Sequence, residues 1–205
     1  MAEPRLTLAR SELILGGQKS GKSRRAELLA RDWLTASPEH RAVLIATGQP
    51  WDVEMRQRIA RHQVDRAERV PGMTTVEEPL ALAETITELS QPDTLLVVDC
   101  LTLWLTNWLM PVAAMEVTPG MGLAEKQAPV PVQQPPVAAL LSAIATAPGP
   151  VIFVGNEIGL GVIPLGSEVR AFVDALGTLN QQVAVVCQRV TLMAAGLPLT
   201  LKETP

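Results

Sequence analysis

Within GGQKSGKS, Gly16 is followed after four residues by Gly21, Lys22 and Ser23, the spacing G-x-x-x-x-G-K-[ST]. This pattern dictates local structure. Glycines let the backbone bend until successive N–H groups face phosphate oxygens, and a helix beginning behind them adds its positive end. Lys22 then neutralises the outer phosphates, and the Ser23 hydroxyl is offered to Mg2+. The flanks agree with that geometry. Leu13 to Leu15 form an apolar run before the loop, and in RRAELLARDWL residues Ala26, Leu29, Ala30, Trp33 and Leu34 recur at helical spacing. The segment reads strand, phosphate loop, helix.

The alternation continues along the chain. Ala42 to Ala46 is a second apolar run, Leu95 to Val98 a third after a helical stretch near Pro79 to Ser90, and Val151 to Val154 a fourth after a helix over Val137 to Ala147. Val169, Phe172, Val173, Leu176, Leu179, Val183 and Val186 keep a 3.6-residue period, which predicts a long amphipathic helix between Glu168 and Cys187. The tail from Val190 to Leu201 supplies one or two final strands. Short strands separated by helices need crossover connections. The expected fold is therefore α/β, a mostly parallel sheet flanked by helices, with ligands at the carboxyl ends of the strands.

At about 150 residues per domain, 205 residues suit a single α/β domain over 1–205 with one elaboration. That elaboration is a proline-rich insertion at 111–136, where six of 26 residues are proline and neither period survives. Seventeen Lys and Arg against 21 Asp and Glu leave a net charge of -4, too acidic for a nucleic-acid binder. Cys100 and Cys187 sit among apolar neighbours and read as buried thiols. Leu95 to Met115 mimics a membrane span, but Asp99 would cost ~2.5 to 3.5 kcal/mol near a bilayer centre. A buried strand turning into an apolar helix explains the run without that cost, so no stable membrane insertion is expected. The start, MAEPRLTLARSE, lacks the apolar core of a secretory signal, which points to a cytoplasmic address.

Asp99, after LLVV, is placed to serve a Mg2+ site with Ser23, or to cap the helix beginning near Leu101. Glu157, after VIFVGN, is a weaker acid for the same cleft. Between Trp51 and Val70, Glu54, Arg58, His62 and Arg66 recur every fourth residue, with Met55 and Ile59 beside them. Taken alone, that stripe is either a solvated salt-bridge ladder or a catalytic face. In the second case Arg58 and Arg66 would disfavour the protonated imidazole and bind phosphate, moving inward when nucleotide arrives, and His62 would act as nucleophile. His40, in the polar SPEHR turn, reads as surface.

GGQKSGKS, IATGQPWDVEMRQRIARHQVDR, LLVVDCLTLWLTN, VGNEIGLGVIP and RAFVDALGTLNQ together resemble, in order and spacing, the adenosylcobinamide kinase / adenosylcobinamide-phosphate guanylyltransferase family of cobalamin biosynthesis. The likeness spans nearly everything outside the insertion. It implies a RecA-like P-loop NTPase fold and a bifunctional enzyme. ATP or GTP phosphorylates adenosylcobinamide, a histidine then takes GMP from GTP with loss of pyrophosphate, and the cobinamide phosphate accepts the GMP to give adenosylcobinamide-GDP. His62 matches that histidine, with Lys22 as the second catalytic residue. The nucleotide contacts carried over are Gly16, Gly17, Gln18, Lys19, Ser20, Gly21, Lys22, Ser23, Ala46, Thr47, Gly48, Gln63, Val64, Asp65, Arg66, Glu77 and Asp99. The likeness also implies a homo-oligomer such as a trimer.

The chain departs from the family in four places. Lys19 stands where arginine is usual, Gly155 where a small hydroxyl residue is usual, and Val173 and Thr178 where arginine is frequent. A kinase lacking the guanylyl step and a nucleotide-binding regulatory switch are the competing readings; both need Lys22 and neither needs His62.

Overall fold

The computed structural model describes residues 7–110 and 134–204, so the proline-rich insertion lies outside the described residues except for its last three positions. The phosphate-loop segment folds as strand β1 (Ser11–Gly16), loop, and helix α1 (Lys22–Ala36). There follow β2 (Arg41–Ala46), α2 (Val53–Arg69), β3 (Thr74–Glu77), α3 (Leu82–Leu89), β4 (Thr94–Asp99) and α4 (Leu101–Leu109). The remaining elements are α5 (Val137–Thr146), β5 (Val151–Val154), α6 (Ser167–Val186), β6 (Arg189–Ala194) and β7 (Leu197–Glu203). One seven-stranded sheet runs in the order β3-β2-β4-β5-β1-β6-β7, parallel throughout except for β7, which pairs antiparallel with β6.

The central strands are apolar on both faces because both faces are covered. Leu13 and Leu15 of β1, Leu96 and Val98 of β4, and Val151 and Phe153 of β5 pack against α3, α4, α5 and α6. Their alternates Ile14, Leu95, Val97, Ile152 and Val154 pack against Ala26, Leu29 and Ala30 of α1. Period-two alternation thus divides one continuous apolar run between two half-cores. The span-like run resolves as expected: β4 ends at Asp99 and α4 follows, with Trp104 fully buried and its Nε1 donating to the Leu80 carbonyl at 2.9 Å. No helix among the described residues is long and apolar enough to cross a membrane.

Cys100 and Cys187 are buried free thiols, both raised to about 12 chiefly by burial. His40 differs from its surface reading. Its ring stacks on Trp33 with centroids 3.6 Å apart, and its Nδ1 lies 2.8 Å from the Trp33 carbonyl oxygen, which fastens the α1–β2 turn.

Candidate functional site

The phosphate loop is shaped by positions that only glycine fills easily. Gly16 has φ +152°, and a Cβ there would fall 2.5 Å from the Met193 carbonyl oxygen of the neighbouring β6. Gly21, at φ +101°, caps α1 with no side-chain acceptor, so the first N–H groups of the helix stay free for an anion. Lys22 is buried and its Nζ donates to the Gly17 carbonyl at 2.5 Å, folding the ammonium back over the loop. Burial lowers its pKa, against the opposing influence of Cys100 and Asp99.

Asp99 ends β4 between β2 and β5, and its Oδ2 accepts from Ser23 Oγ at 3.4 Å. Burial raises its pKa, while His62, Arg66, the Ser23 hydrogen bond and Lys22 pull it down. Asp99 is not the helix cap: the N-cap of α4 is Cys100, which makes no side-chain capping bond. Thr47, fully buried, latches this corner by accepting from Cys100 N at 2.9 Å and donating to the Cys100 carbonyl at 2.7 Å. A hydroxyl beside a buried carboxylate is a hard-oxygen pair suited to Mg2+, which keeps most of its shell for water and phosphate. The described residues hold no cluster of three or more His, Cys, Asp or Glu, so Ser23 and Asp99 would supply that shell only in part.

Asp52 caps α2, its Oδ1 accepting from Met55 N at 2.6 Å, and the helix runs unbroken past His62. Unbroken helix turns the four-residue spacing into a face. Glu54, Arg58, His62 and Arg66 all line one cleft with the phosphate loop, as do Met55 and Ile59. The ladder reading does not hold for them. The ion pairs of α2 instead join Arg69 to Glu27 at 2.8 Å and to Asp65 at 3.3 Å. Arg66 is buried, its guanidinium donating to Thr75 Oγ1 at 3.4 Å, whereas Arg58 is exposed.

The cleft encloses about 590 Å³. Of the expected nucleotide contacts, Gln18 to Ser23, Ala46, Gly48, Gln63, Asp65, Arg66, Glu77 and Asp99 line it together with His62. Gly16, Gly17, Thr47 and Val64 do not: Gly16 and Thr47 shape the backbone beneath it, and the Val64 side chain is exposed. Glu157 is spent elsewhere, accepting from Gly159 N at 2.9 Å, and its neighbour Asn156 reaches the cleft instead. Residue-by-residue reading overlooks Arg61, Arg69, Glu27 and Thr75, all of which line the wall. Helical spacing was the available signal for Arg61 and Arg69, which follow Arg58 and Arg66 by three residues. Val173 and Thr178 line a separate groove beside Ile158 and Val162.

A model of the family described as cobinamide kinase / cobinamide phosphate guanyltransferase matches residues 12–201. The bifunctional adenosylcobalamin biosynthesis protein CobP of Pseudomonas aeruginosa is 44% identical over 194 residues, covering 95% of this chain and 98% of that one. The proteins named bifunctional adenosylcobalamin biosynthesis protein CobU of Escherichia coli and Salmonella typhimurium are 32% and 30% identical, each over 93% of this chain and 98% of theirs.

Proposed function

Because the chain belongs to the cobinamide kinase / cobinamide phosphate guanyltransferase family, we propose that its one nucleotide cleft performs both reactions in turn. In the first, the hydroxyl of adenosylcobinamide attacks the terminal phosphorus of ATP or GTP held on the loop Gly16 to Ser23. In the second, an imidazole nitrogen of His62 attacks the α-phosphorus of GTP. An N–P bond forms, the bond from that phosphorus to its bridging oxygen breaks, and pyrophosphate leaves. The cobinamide phosphate then displaces His62 and carries away the GMP. Lys22 and the free N–H groups of α1 hold the phosphates in both steps, and Arg58 and Arg66 hold them beside the imidazole. Ser23 and Asp99 would hold Mg2+, which supplies charge neutralisation and alignment of phosphate oxygens.

The observation that carries this reading is that His62, the phosphate loop and Asp99 line the same cleft. A kinase or a switch has no use for an imidazole there. The reading extends to a cytoplasmic, single-domain enzyme that works as a homo-oligomer. The exposed apolar residues Leu160, Val162, Ile163 and Leu165 support that assembly, since a lone subunit would leave them in water.

Incubation with GTP labelled at the α-phosphate tests the transferase half. The expected result is an acid-labile, alkali-stable label on the protein that disappears in His62→Ala. Phosphorylated cobinamide without label would leave a kinase alone, and nucleotide binding without either product would leave a switch.

A further inference from the structure

The nucleotide is one of two reactants, and the cleft of about 590 Å³ is the size of a site for a single ligand. A macrocyclic second substrate needs room of its own. A second cavity, of about 570 Å³, opens at the same end of the sheet, between the loop from Ile158 to Pro164 and one stripe of α6. Arg170, Val173, Asp174, Gly177, Thr178 and Gln181 make that stripe at helical spacing, while Leu176, Leu179 and Val183 face the core. Both cavities reach the end of β5: Asn156 lines the cleft, and Ile158, two residues on, lines the groove.

The groove is held open by its own chain. At one end of the loop the Glu157 N–H donates to the Gly16 carbonyl at 3.1 Å, and at the other the Arg170 guanidinium donates to the Pro164 and Leu165 carbonyls at 2.9 and 2.6 Å. Gly177 stands inside the 20-residue α6, where any residue but proline suits a helix better. It has no positive φ to require glycine, and a Cβ there would meet no atom within 4 Å, so no neighbour needs the space. What its missing side chain leaves is room in the groove. Charge separates the two cavities further. Lys22, Arg58, Arg61 and Arg66 all line the cleft, whereas the groove has one arginine, engaged with the loop carbonyls, and one aspartate. That wall is apolar and nearly neutral, unsuited to a triphosphate.

We propose that this groove receives the corrin macrocycle of the cobinamide substrate, whose hydroxyl-bearing tail then reaches past the end of β5 to the phosphate loop. The proposal rests on the two-step reading above and adds the place of the second substrate. A corrin ring offers broad apolar faces and a rim of uncharged carboxamides. Ile158, Val162, Ile163 and Val173 supply apolar surface for the first, and Gln181 and the loop backbone supply hydrogen-bonding groups for the second. The positive charge of the metal-centred ring is matched by Asp174, which makes no ion pair among the described residues. One docked ring serves both steps, because only the end of the tail changes, from hydroxyl to phosphate. Leu160 and Leu165 of the same loop lie outside the groove.

Gly177→Leu puts a side chain into the groove from a position where its first carbon meets no neighbour, and leucine suits a helix better than glycine. Its KM for adenosylcobinamide is expected to rise about 10-fold or more, with kcat and the KM for nucleotide each moving by less than about 3-fold. Calorimetric binding of adenosylcobinamide without nucleotide should weaken to match, and Gly177→Ala should fall between. Val162→Lys, on the loop wall and 96% exposed, has no packing to lose; it should weaken binding by about 3-fold or more and decides the matter if the leucine variant melts. Light scattering reads the assembly in parallel. Unchanged affinity for adenosylcobinamide, an equal rise in the KM for nucleotide, or a loss that tracks a change in subunit number overturns the assignment, the last by making the groove a contact between copies. Failure of the two-step reading would show in the unsubstituted chain, as missing phosphorylated cobinamide or missing label; failure of the groove assignment shows only in the variants.

Discussion

Burial disfavours the charged forms of both Asp99 and Lys22. For Asp99 burial outweighs His62, Arg66, Ser23 and Lys22, so its folded-state pKa stands above the ordinary value of 3.8. A raised acid contributes stability that is fully present below the unfolded value and is lost as pH rises through the folded value. Lys22 is displaced the other way from 10.5, again by burial first, so its contribution is present at high pH and lost as pH falls through its lowered value. A bound triphosphate would favour the charged form of Lys22 and, by like-charge repulsion, disfavour that of Asp99 unless a cation lies between them. Asp99→Asn, which cannot ionise, is expected to stabilise the nucleotide-free protein by on the order of 1 kcal/mol, about 2–4 °C, while slowing both reactions. Melting midpoints from about pH 4 to pH 8 should show the gain opening as pH rises above 3.8; a constant gain at every pH would assign it to something other than this carboxylate. Asp99 was legible because an acid ends an apolar run. Asn156 carried no such mark, since an amide after a strand is ordinary loop chemistry until its backbone partners Thr102 and Asn180, 54 and 24 residues away, are known.

Strands with apolar runs and helices with clear periods announce themselves, and β1, β2, β4, β5, α5 and α6 fall within a residue or two of their expected bounds. β3 does not, because Thr74–Glu77 is a four-residue edge strand exposed along most of its length, with no apolar run to betray it. Equally hidden is the polar joint that ties α1 and β6 to β1. Glu12, with no exposure, accepts from Arg25 Nε at 3.0 Å, Thr191 Oγ1 at 2.7 Å and Arg189 at 3.4 Å. Arg189 continues to Glu203 on β7 at 2.6 Å. A charge beside an apolar run reads as the solvated start of a strand, and its partners at positions 189 and 191 are too distant in sequence to suggest otherwise. Glu12→Ala would leave two guanidinium groups without their shared carboxylate in a dry joint, at a cost of about 3–5 kcal/mol. Urea unfolding measures it. A loss below about 1 kcal/mol would mean that water enters the joint and that the network is not what fixes α1 behind the phosphate loop.

For the molecule as a whole, the decisive fact is the strand order. Alternating runs establish a parallel α/β sheet, but periodicity is silent on which strands are neighbours: β1 pairs with β5 and β6, which lie more than 130 residues further along. That order, β2-β4-β5-β1, sets the helix bearing His62, the Asp99 carboxylate, Asn156 and the phosphate loop side by side at the carboxyl edge. On the proposed reading one loop serves two chemistries, which links stability and catalysis through it. GTP at about 100 times its Kd should stabilise the fold by ~2.7 kcal/mol, a rise of about 5–10 °C for a chain of this size. Lys22→Ala should shrink that rise at the same GTP concentration and lower kcat/KM for phosphorylation and guanylyl transfer together, by about 100-fold or more. His62→Ala should keep the rise and the phosphorylation while losing guanylyl transfer. If Lys22→Ala lost one reaction and kept the other, the two would need separate phosphate sites, and a single cleft at this sheet edge would no longer explain the enzyme.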